Sequence, residues 1–124
     1  MAGARILVVD DSSSVRQQVA HVLGGAGFTV VEAQDGADGL DQIRRNADLA
    51  AVLCDVNMPR MNGIELVEMV RADGGRPSLP ILMLTTESQP GLIQRAKQLG
   101  AKGWIIKPFK PELLLAAIRK VTGA

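Results

Sequence analysis

Aromatic side chains are scarce in this chain of 124 residues. It has no tyrosine, and its aromatic residues are Phe28, Phe109 and Trp104. A hydrophobic core must therefore be built mostly from aliphatic side chains. So few rings offer no stacking platform for a flavin or for nucleotide bases, which argues against a flavin-binding protein.

Cysteine and long apolar runs are scarce as well. The single cysteine, Cys54, lies inside an apolar run, so we expect it to fill the core of a protein from a reducing compartment. No apolar run approaches the ~20 residues that cross a bilayer. Met1 to Arg5 lacks the apolar region of a signal peptide. We therefore expect a cytoplasmic protein with no membrane insertion.

An excess of charge of either sign is also missing. The chain has 14 lysines and arginines against 13 acids, a formal net charge of +1. This balance gives no electrostatic reason to bind nucleic acid or a membrane surface, so we expect a protein or a small anion as partner. The length suits one domain, and we expect residues 1–124 to form it without a second domain.

Short apolar runs alternate with segments of helical periodicity, which predicts an α/β fold. The predicted strands cover Arg5 to Val9, Phe28 to Glu32, Ala50 to Cys54, Leu79 to Leu84 and Gly103 to Ile106. Right-handed crossovers would place helices on both faces of a doubly wound, five-stranded parallel sheet. The order of strands in such a sheet would be 2-1-3-4-5.

Each predicted helix has one apolar face. The residues predicted to point inward are Val15, Val19, Val22 and Leu23; Leu40 and Ile43; Leu66, Val67 and Val70; Leu92, Ala96 and Leu99; and Leu114, Ala117, Ile118 and Val121. One of residues 12–14, all serines, can cap the first helix. Gly74, Gly75 and Pro77 are predicted to end the third helix. Gly100 should follow the fourth, and Pro111 should begin the fifth.

Acidic residues stand directly after two predicted strands. Asp10 and Asp11 follow the first strand, and Asp55 follows the third. The carboxyl ends of parallel strands meet at one edge of the sheet, so these carboxylates should gather there. Three negative charges in a partly dry cleft favour a bound cation, and hard oxygen donors favour Mg2+ over zinc or copper.

Thr85 and Lys107 follow the fourth and fifth predicted strands. Taken singly, each residue has an ordinary explanation: an acid or a threonine can cap an element, and a lysine can be solvated. Together, three acids, a hydroxyl and a cation provide a nucleophile, a metal site and donors for phosphoryl oxygens. This combination favours phosphoryl transfer to a carboxylate.

Four motifs occur in order at the predicted strand ends. They are Val9 to Asp11, Asp55 to Pro59 with Met61 to Gly63, Thr85, and Gly103 to Phe109. With them the chain closely resembles the receiver domains of two-component response regulators, especially single-domain CheY-like proteins, over essentially its whole length. The resemblance implies a flavodoxin-like, CheY-like fold and a stand-alone receiver without an output domain.

The resemblance also implies a phosphorylation site. Asp55 would accept a phosphoryl group from a phosphohistidine on a sensor histidine kinase. Mg2+ would be bound by the side chains of Asp11 and Asp55, by the backbone carbonyl of Asn57, and by Asp10 through a water molecule.

Further residues take roles in a switch that the resemblance implies. Lys107 would pair with Asp55 and then with the acyl phosphate, and the peptide bond from Lys107 to Pro108 would be cis. Thr85 would sense the phosphoryl group, and Trp104 would turn into the space that Thr85 vacates. Members of the family commonly have tyrosine or phenylalanine at this place, and the sequence leaves open whether Trp104 makes the full turn.

The face formed by helix four, strand five and helix five would then bind a target protein. Asn57 and Glu87 match residues that favour rapid self-dephosphorylation in chemotaxis members, so we expect a short-lived signal in chemotaxis or motility control. A phosphatase is a further candidate partner. We expect a monomer that binds no nucleic acid and catalyses only its own phosphorylation and dephosphorylation.

Other functions stay open on the sequence alone. The chain can be a phosphorelay intermediate that passes its phosphoryl group to another histidine. It can also be a small Mg2+-dependent phosphohydrolase with Asp55 as nucleophile, although no segment is available to cap a substrate. A nucleotide-binding, flavodoxin-like module is disfavoured because no glycine-rich loop follows the first strand.

Overall fold

The computed structural model describes residues 3–73 and 78–123. These residues form five strands and five helices that alternate along the chain, which confirms the predicted α/β pattern. The elements are β1 (Arg5–Val9), α1 (Ser13–Gly25), β2 (Thr29–Ala33), α2 (Gly36–Arg45), β3 (Leu49–Cys54), α3 (Gly63–Asp73), β4 (Ile81–Thr85), α4 (Pro90–Gln98), β5 (Gly103–Ile106) and α5 (Pro111–Thr122).

The strands form one parallel sheet in the order β2-β1-β3-β4-β5, as predicted. In this sheet Val9, the last residue of β1, is level with Ala33 of β2 and Cys54 of β3. The N–H of Asp55 donates to the carbonyl of Val9 across 2.9 Å. The register therefore places Asp10 and Asp55 side by side, just beyond the ends of two neighbouring strands.

The sheet separates two hydrophobic clusters. Ile6 and Val8 of β1 pack on one face with α1 and α5, whereas Leu7 and Val9 pack on the other face with α2, α3 and α4. The last four residues of β1, Ile6 to Val9, are buried on both faces of the sheet, which explains why they form an uninterrupted apolar run. Several predicted inward residues of the helices are half-buried rather than fully buried: Val15, Val22, Leu92, Leu99, Ala117 and Val121.

The boundaries of some elements differ from the prediction. β1 and β5 have the predicted bounds. β2 lies one residue later than predicted, β3 begins at Leu49 instead of Ala50, and β4 covers Ile81–Thr85 instead of Leu79 to Leu84. Pro80 has no N–H to donate to a strand ladder, although its carbonyl accepts from Val52 at 2.9 Å. Gly100 follows α4 with a φ of +86°, the left-handed conformation expected of a glycine there. Residues 74–77, predicted to end the third helix, lie outside the described residues.

Cys54 is part of the core, as predicted. Its side chain is fully buried at the end of β3, and burial raises the pKa of its thiol far above the ordinary value. None of the helices in the described part of the chain is long and apolar enough to cross a membrane.

Candidate functional site

The structure brings three acids together at the carboxyl edge of the sheet. One carboxylate oxygen from each of Asp10, Asp11 and Asp55 lies within 4.8 Å of the others. Asp10 and Asp55 are buried, with exposed fractions of 2% and 7%, and Asp11 is exposed. The cluster therefore has two buried carboxylates and one carboxylate that is exposed to solvent.

Asp10 is fixed by the start of α1. Its Oδ1 accepts a hydrogen bond from the N–H of Ser12 at 2.9 Å, and its backbone carbonyl accepts from the Arg16 guanidinium at 2.6 Å. Ser12 caps α1, because its hydroxyl accepts from the N–H of Val15 at 3.3 Å. Because Ser12 caps α1, the Asp11 carboxylate is not used as a cap. It lies at the exposed side of the acid cluster.

Asp55 is held by the loop from β3 to α3. Its Oδ1 accepts from the N–H of Val56 at 2.8 Å. Gly63 donates its N–H to the carbonyl of Val56 at 2.9 Å, which folds the start of α3 back toward β3. A Cβ atom on Gly63 would clash with the Asp55 backbone carbonyl, so only glycine allows this close approach. Asn57, whose carbonyl is a metal ligand by the family resemblance alone, is exposed two residues beyond Asp55.

Lys107 contacts two of the acids from the end of β5. Its Nζ lies 2.6 Å from Oδ2 of Asp10 and 3.3 Å from Oδ2 of Asp55. The family resemblance implied Asp55 as the partner of Lys107, and the structure adds Asp10 with the shorter contact. The peptide bond between Lys107 and Pro108 is cis.

Burial and charge oppose each other at this ion pair. Burial raises the pKa of Asp10 above its ordinary value, although hydrogen bonds from Lys107 and from the N–H of Ser12 act in the other direction. Burial alone would lower the pKa of Lys107. Its hydrogen bond to Asp10 and the charges of Asp10 and Asp55 outweigh that effect, and the pKa of Lys107 is raised. Lys107 is therefore a fixed cation at neutral pH.

The donor set suits a hard cation. Three carboxylates supply only oxygen ligands, and an exposed carboxylate such as Asp11 leaves room for water in the coordination sphere. Mg2+ prefers oxygen ligands and keeps several waters, whereas zinc and copper favour nitrogen and sulfur. The residues present therefore fit Mg2+.

Thr85, Glu87 and Trp104 form a hydrogen-bonded chain that leads away from the acids. Thr85 is fully buried, and its hydroxyl accepts from the N–H of Glu87 at 3.1 Å. The carbonyl of Glu87 accepts from the indole N–H of Trp104 at 2.9 Å. The half-buried Trp104 ring packs against the cluster beneath α3 and α4. The Glu87 carboxylate accepts from the N–H groups of Ser88 and Gln89, so it faces the start of α4.

Arg16, which was not predicted as a site residue, joins α1 to the edge of the sheet. Its guanidinium donates to the carbonyl of Asp10 and forms an ion pair with Glu32 of β2 at 3.0 Å. A basic residue one turn into the helix after the acids was the available signal.

Another acid after a strand, Asp35, has the ordinary capping role. It caps α2 and pairs with Arg60 at 3.2 Å.

Comparison with known proteins agrees with this geometry. The family model of the response regulator receiver domain matches residues 6–119. Chemotaxis protein CheY1 of Helicobacter pylori (strain J99) is 38% identical over 120 residues, 96% of this chain and 97% of that protein. The solved structure of chemotaxis protein CheY4 from Vibrio cholerae is 46% identical with a TM-score of 0.89, covering 97% of this chain and 99% of that chain. A CheY-like receiver domain protein from Methanospirillum hungatei is 29% identical with a TM-score of 0.90, covering 98% and 95%.

Proposed function

Because the chain belongs to the response regulator receiver domain family, we propose that Asp55 accepts a phosphoryl group from a histidine kinase in chemotaxis signalling. The observation that carries this proposal is the environment of the Asp55 carboxylate. It is buried beside two further acids, and its Oδ2 contacts the ammonium group of Lys107. Members of this family are signalling proteins rather than classical enzymes.

The contacts of the three acids favour Asp55 as the acceptor. Both carboxylate oxygens of Asp10 have close partners, the Ser12 N–H at 2.9 Å and Lys107 at 2.6 Å. Asp11 is exposed, so solvent weakens the effect of neighbouring charges on it. Among the described residues, Oδ2 of Asp55 has only the longer 3.3 Å contact to Lys107. This oxygen is therefore the one best placed to attack phosphorus.

Asp10, Asp11 and Asp55 would hold Mg2+ together with the backbone carbonyl of Asn57. The bound ion supplies positive charge that balances the phosphoryl oxygens. Lys107 supplies a second positive charge from the end of β5, and its flexible side chain can exchange Asp55 for the acyl phosphate. The raised pKa of Lys107 keeps this charge in place at neutral pH.

The transfer itself needs only the groups at this edge of the sheet. The Asp55 oxygen forms a bond to phosphorus while the bond from phosphorus to the donor imidazole nitrogen breaks, and the electron pair leaves with the imidazole. The hydroxyl of Thr85 would then donate to a phosphoryl oxygen. Asn57 and Glu87, one exposed and one half-buried, would flank the path of the water that later removes the phosphoryl group.

The face formed by α4, β5 and α5 would bind the target protein. Two large apolar side chains are exposed there, Ile106 at 46% and Leu113 at 59%. Trp104 connects this face to the acceptor site, because its indole N–H bonds the carbonyl of Glu87. A movement of Thr85 toward a phosphoryl group would therefore act on the β4–α4 loop and on this face.

Transfer of radiolabelled phosphate from acetyl phosphate tests the proposal. In Mg2+ the parent chain should become labelled, and Asp55→Asn should not, because the amide is not a nucleophile for phosphorus. Asp35→Asn is the matched control: it changes a buried acid after another strand, and asparagine caps a helix as well as aspartate does. Removing Mg2+ with EDTA should abolish labelling of the parent. Equal labelling of Asp55→Asn and the parent would refute the proposal.

A further inference from the structure

A cleft lies beside the acceptor site and shares only Lys107 with the residues assigned to phosphoryl transfer above. It has a volume of about 490 Å3 and lies between α1 and the residues that follow β5. Val15 and Val22 line it on the side of α1, and Phe109 and Pro111 line it on the opposite side. The walls of the cleft are therefore largely apolar.

The cleft opens onto the phosphorylation site. Lys107 lines the cleft and also contacts Asp55 at 3.3 Å. Thr86, the neighbour of Thr85, lines it as well. Among the described residues around the cleft none is acidic, and Lys107 carries a fixed positive charge. Lys107 is paired with Asp10 and Asp55 until a phosphoryl group replaces Asp55 as its partner, and an apolar group attached to that phosphoryl group would find an apolar surface next to it.

We propose that this cleft receives the apolar acyl group of a small-molecule acyl phosphate, and that such compounds phosphorylate Asp55 faster than acetyl phosphate does. The inference rests on the proposed function, because it needs Asp55 as the phosphoryl acceptor. The volume of the cleft falls in the range of about 300 to 1,000 Å3 that is typical of small-molecule sites. An acyl phosphate matches both parts of this region. Its phosphoryl group would lie at Lys107 and Asp55, and its hydrocarbon would lie in the cleft.

The reaction balances without any further reactant. An oxygen of Asp55 forms a bond to phosphorus, and the bond between phosphorus and the acyl oxygen breaks. The electron pair of that bond leaves with the acyl group as a free carboxylate, and no proton or oxidant is needed. Lys107, at the boundary of the cleft and the site, would contact the phosphoryl oxygens during the transfer, as it would in transfer from a phosphohistidine.

Acetyl phosphate and cyclohexanecarbonyl phosphate are the probes that test the cleft. Their carboxylate leaving groups have similar basicity, so a difference in rate reports the acyl group and not the intrinsic reactivity. Burial of about two methylene equivalents in the cleft gives an expected rate advantage of about tenfold for the cyclohexanecarbonyl donor. The rate of Asp55 modification in Mg2+, followed on phosphate-affinity gels, measures this advantage for the parent chain.

Two neighbouring glutamines of α1 provide a matched pair of variants. Gln18 lines the cleft, whereas Gln17 is exposed and does not. Both glutamines are exposed and neither is part of the hydrophobic core, so both variants should fold. Gln18→Phe should fill the cleft and bring the rates of the two donors together. Gln17→Phe should keep the tenfold advantage of the parent.

Equal rates for the two donors in the parent chain would overturn the inference, and so would an equal advantage in the two variants. If the acyl donors react alike and Gln18→Phe slows transfer only from phosphoimidazole, the cleft serves a phosphohistidine donor instead, which also contradicts the inference. Modification by neither acyl phosphate would refute the proposed function, so the two failures are distinguishable.

Discussion

At the scale of single residues, the site depends on how Lys107 is shared between two carboxylates. The sequence places Lys107 after strand five and Asp55 after strand three, which predicts that both reach the same edge of the sheet. It does not predict that the shorter contact, 2.6 Å, goes to Asp10. Which acid lies closer to Lys107 depends on the rotamers of these side chains, since β3 and β4 separate β5 from β1 in the sheet. Rotamers leave no periodic pattern in the sequence.

Replacing Lys107 by methionine tests the electrostatics of this pair. The change leaves the Asp10 and Asp55 carboxylates close together without a cation, so the free energy of unfolding in EDTA should fall by about 2 kcal/mol near neutral pH. The pKa of Asp10, already raised by burial, loses the opposing contribution of Lys107. Asp10 of the folded variant therefore binds a proton more tightly than Asp10 of the unfolded chain. Lowering the pH should thus reduce the loss of stability relative to the parent.

Urea denaturation at neutral and mildly acidic pH measures this effect. In the parent, the raised pKa of Lys107 adds stability that is present below the pKa of an unfolded lysine and is lost as the pH rises through the folded value. Lys102→Met, which changes an exposed lysine near the start of β5, should leave stability nearly unchanged. A Lys107→Met deficit that grows on acidification would contradict this electrostatic account.

At the scale of elements, the apolar periodicity of the chain predicted all the helices and strands of the described residues. The contact between α3 and β3 was not predictable in the same way. The turn residues from Pro59 to Gly63 indicate only that a helix follows β3. That Gly63 must pack directly on the Asp55 backbone carbonyl depends on the path of the loop, which local sequence does not determine.

Gly63→Ala tests whether this contact matters. A Cβ atom at Gly63 has no space beside the Asp55 carbonyl, so we expect a loss of about 2 kcal/mol in the free energy of unfolding and slower modification of Asp55. Gly91→Ala is the matched control in α4, where an added Cβ meets no atom within 4 Å. It should stabilise the chain by about 0.5 kcal/mol through helix propensity. A Gly63→Ala chain as stable as Gly91→Ala would show that the loop adapts freely.

At the scale of the whole molecule, a line of contacts joins the acids to the α4-β5-α5 face. Thr85, predicted to follow the fourth strand, is the last residue of β4, and Trp104 lies on the neighbouring strand β5. The bond from the Trp104 indole to the Glu87 carbonyl was not predicted, because it depends on the orientation of one ring. The cleft beside Lys107 was missed for a related reason, since its walls come from parts of the chain far apart in sequence.

The fluorescence of Trp104 should report this connection. It is the single tryptophan of the chain, so phosphorylation, or beryllofluoride with Mg2+, should change its spectrum when the loop that carries Glu87 moves. Thr85→Val removes the hydroxyl and should lose most of the response while Asp55 is still modified, whereas Thr85→Ser should keep it. An unchanged parent spectrum despite full modification would argue against transmission through Trp104.

Asp55 can be identified directly as the residue that carries the phosphoryl group. Treating the phosphorylated parent chain with borohydride converts an aspartyl phosphate to homoserine, and mass spectrometry of the tryptic peptides locates the change. We expect homoserine at position 55, in the peptide that ends at Arg60. Homoserine at Asp10 or Asp11, or none after proven labelling, would contradict it.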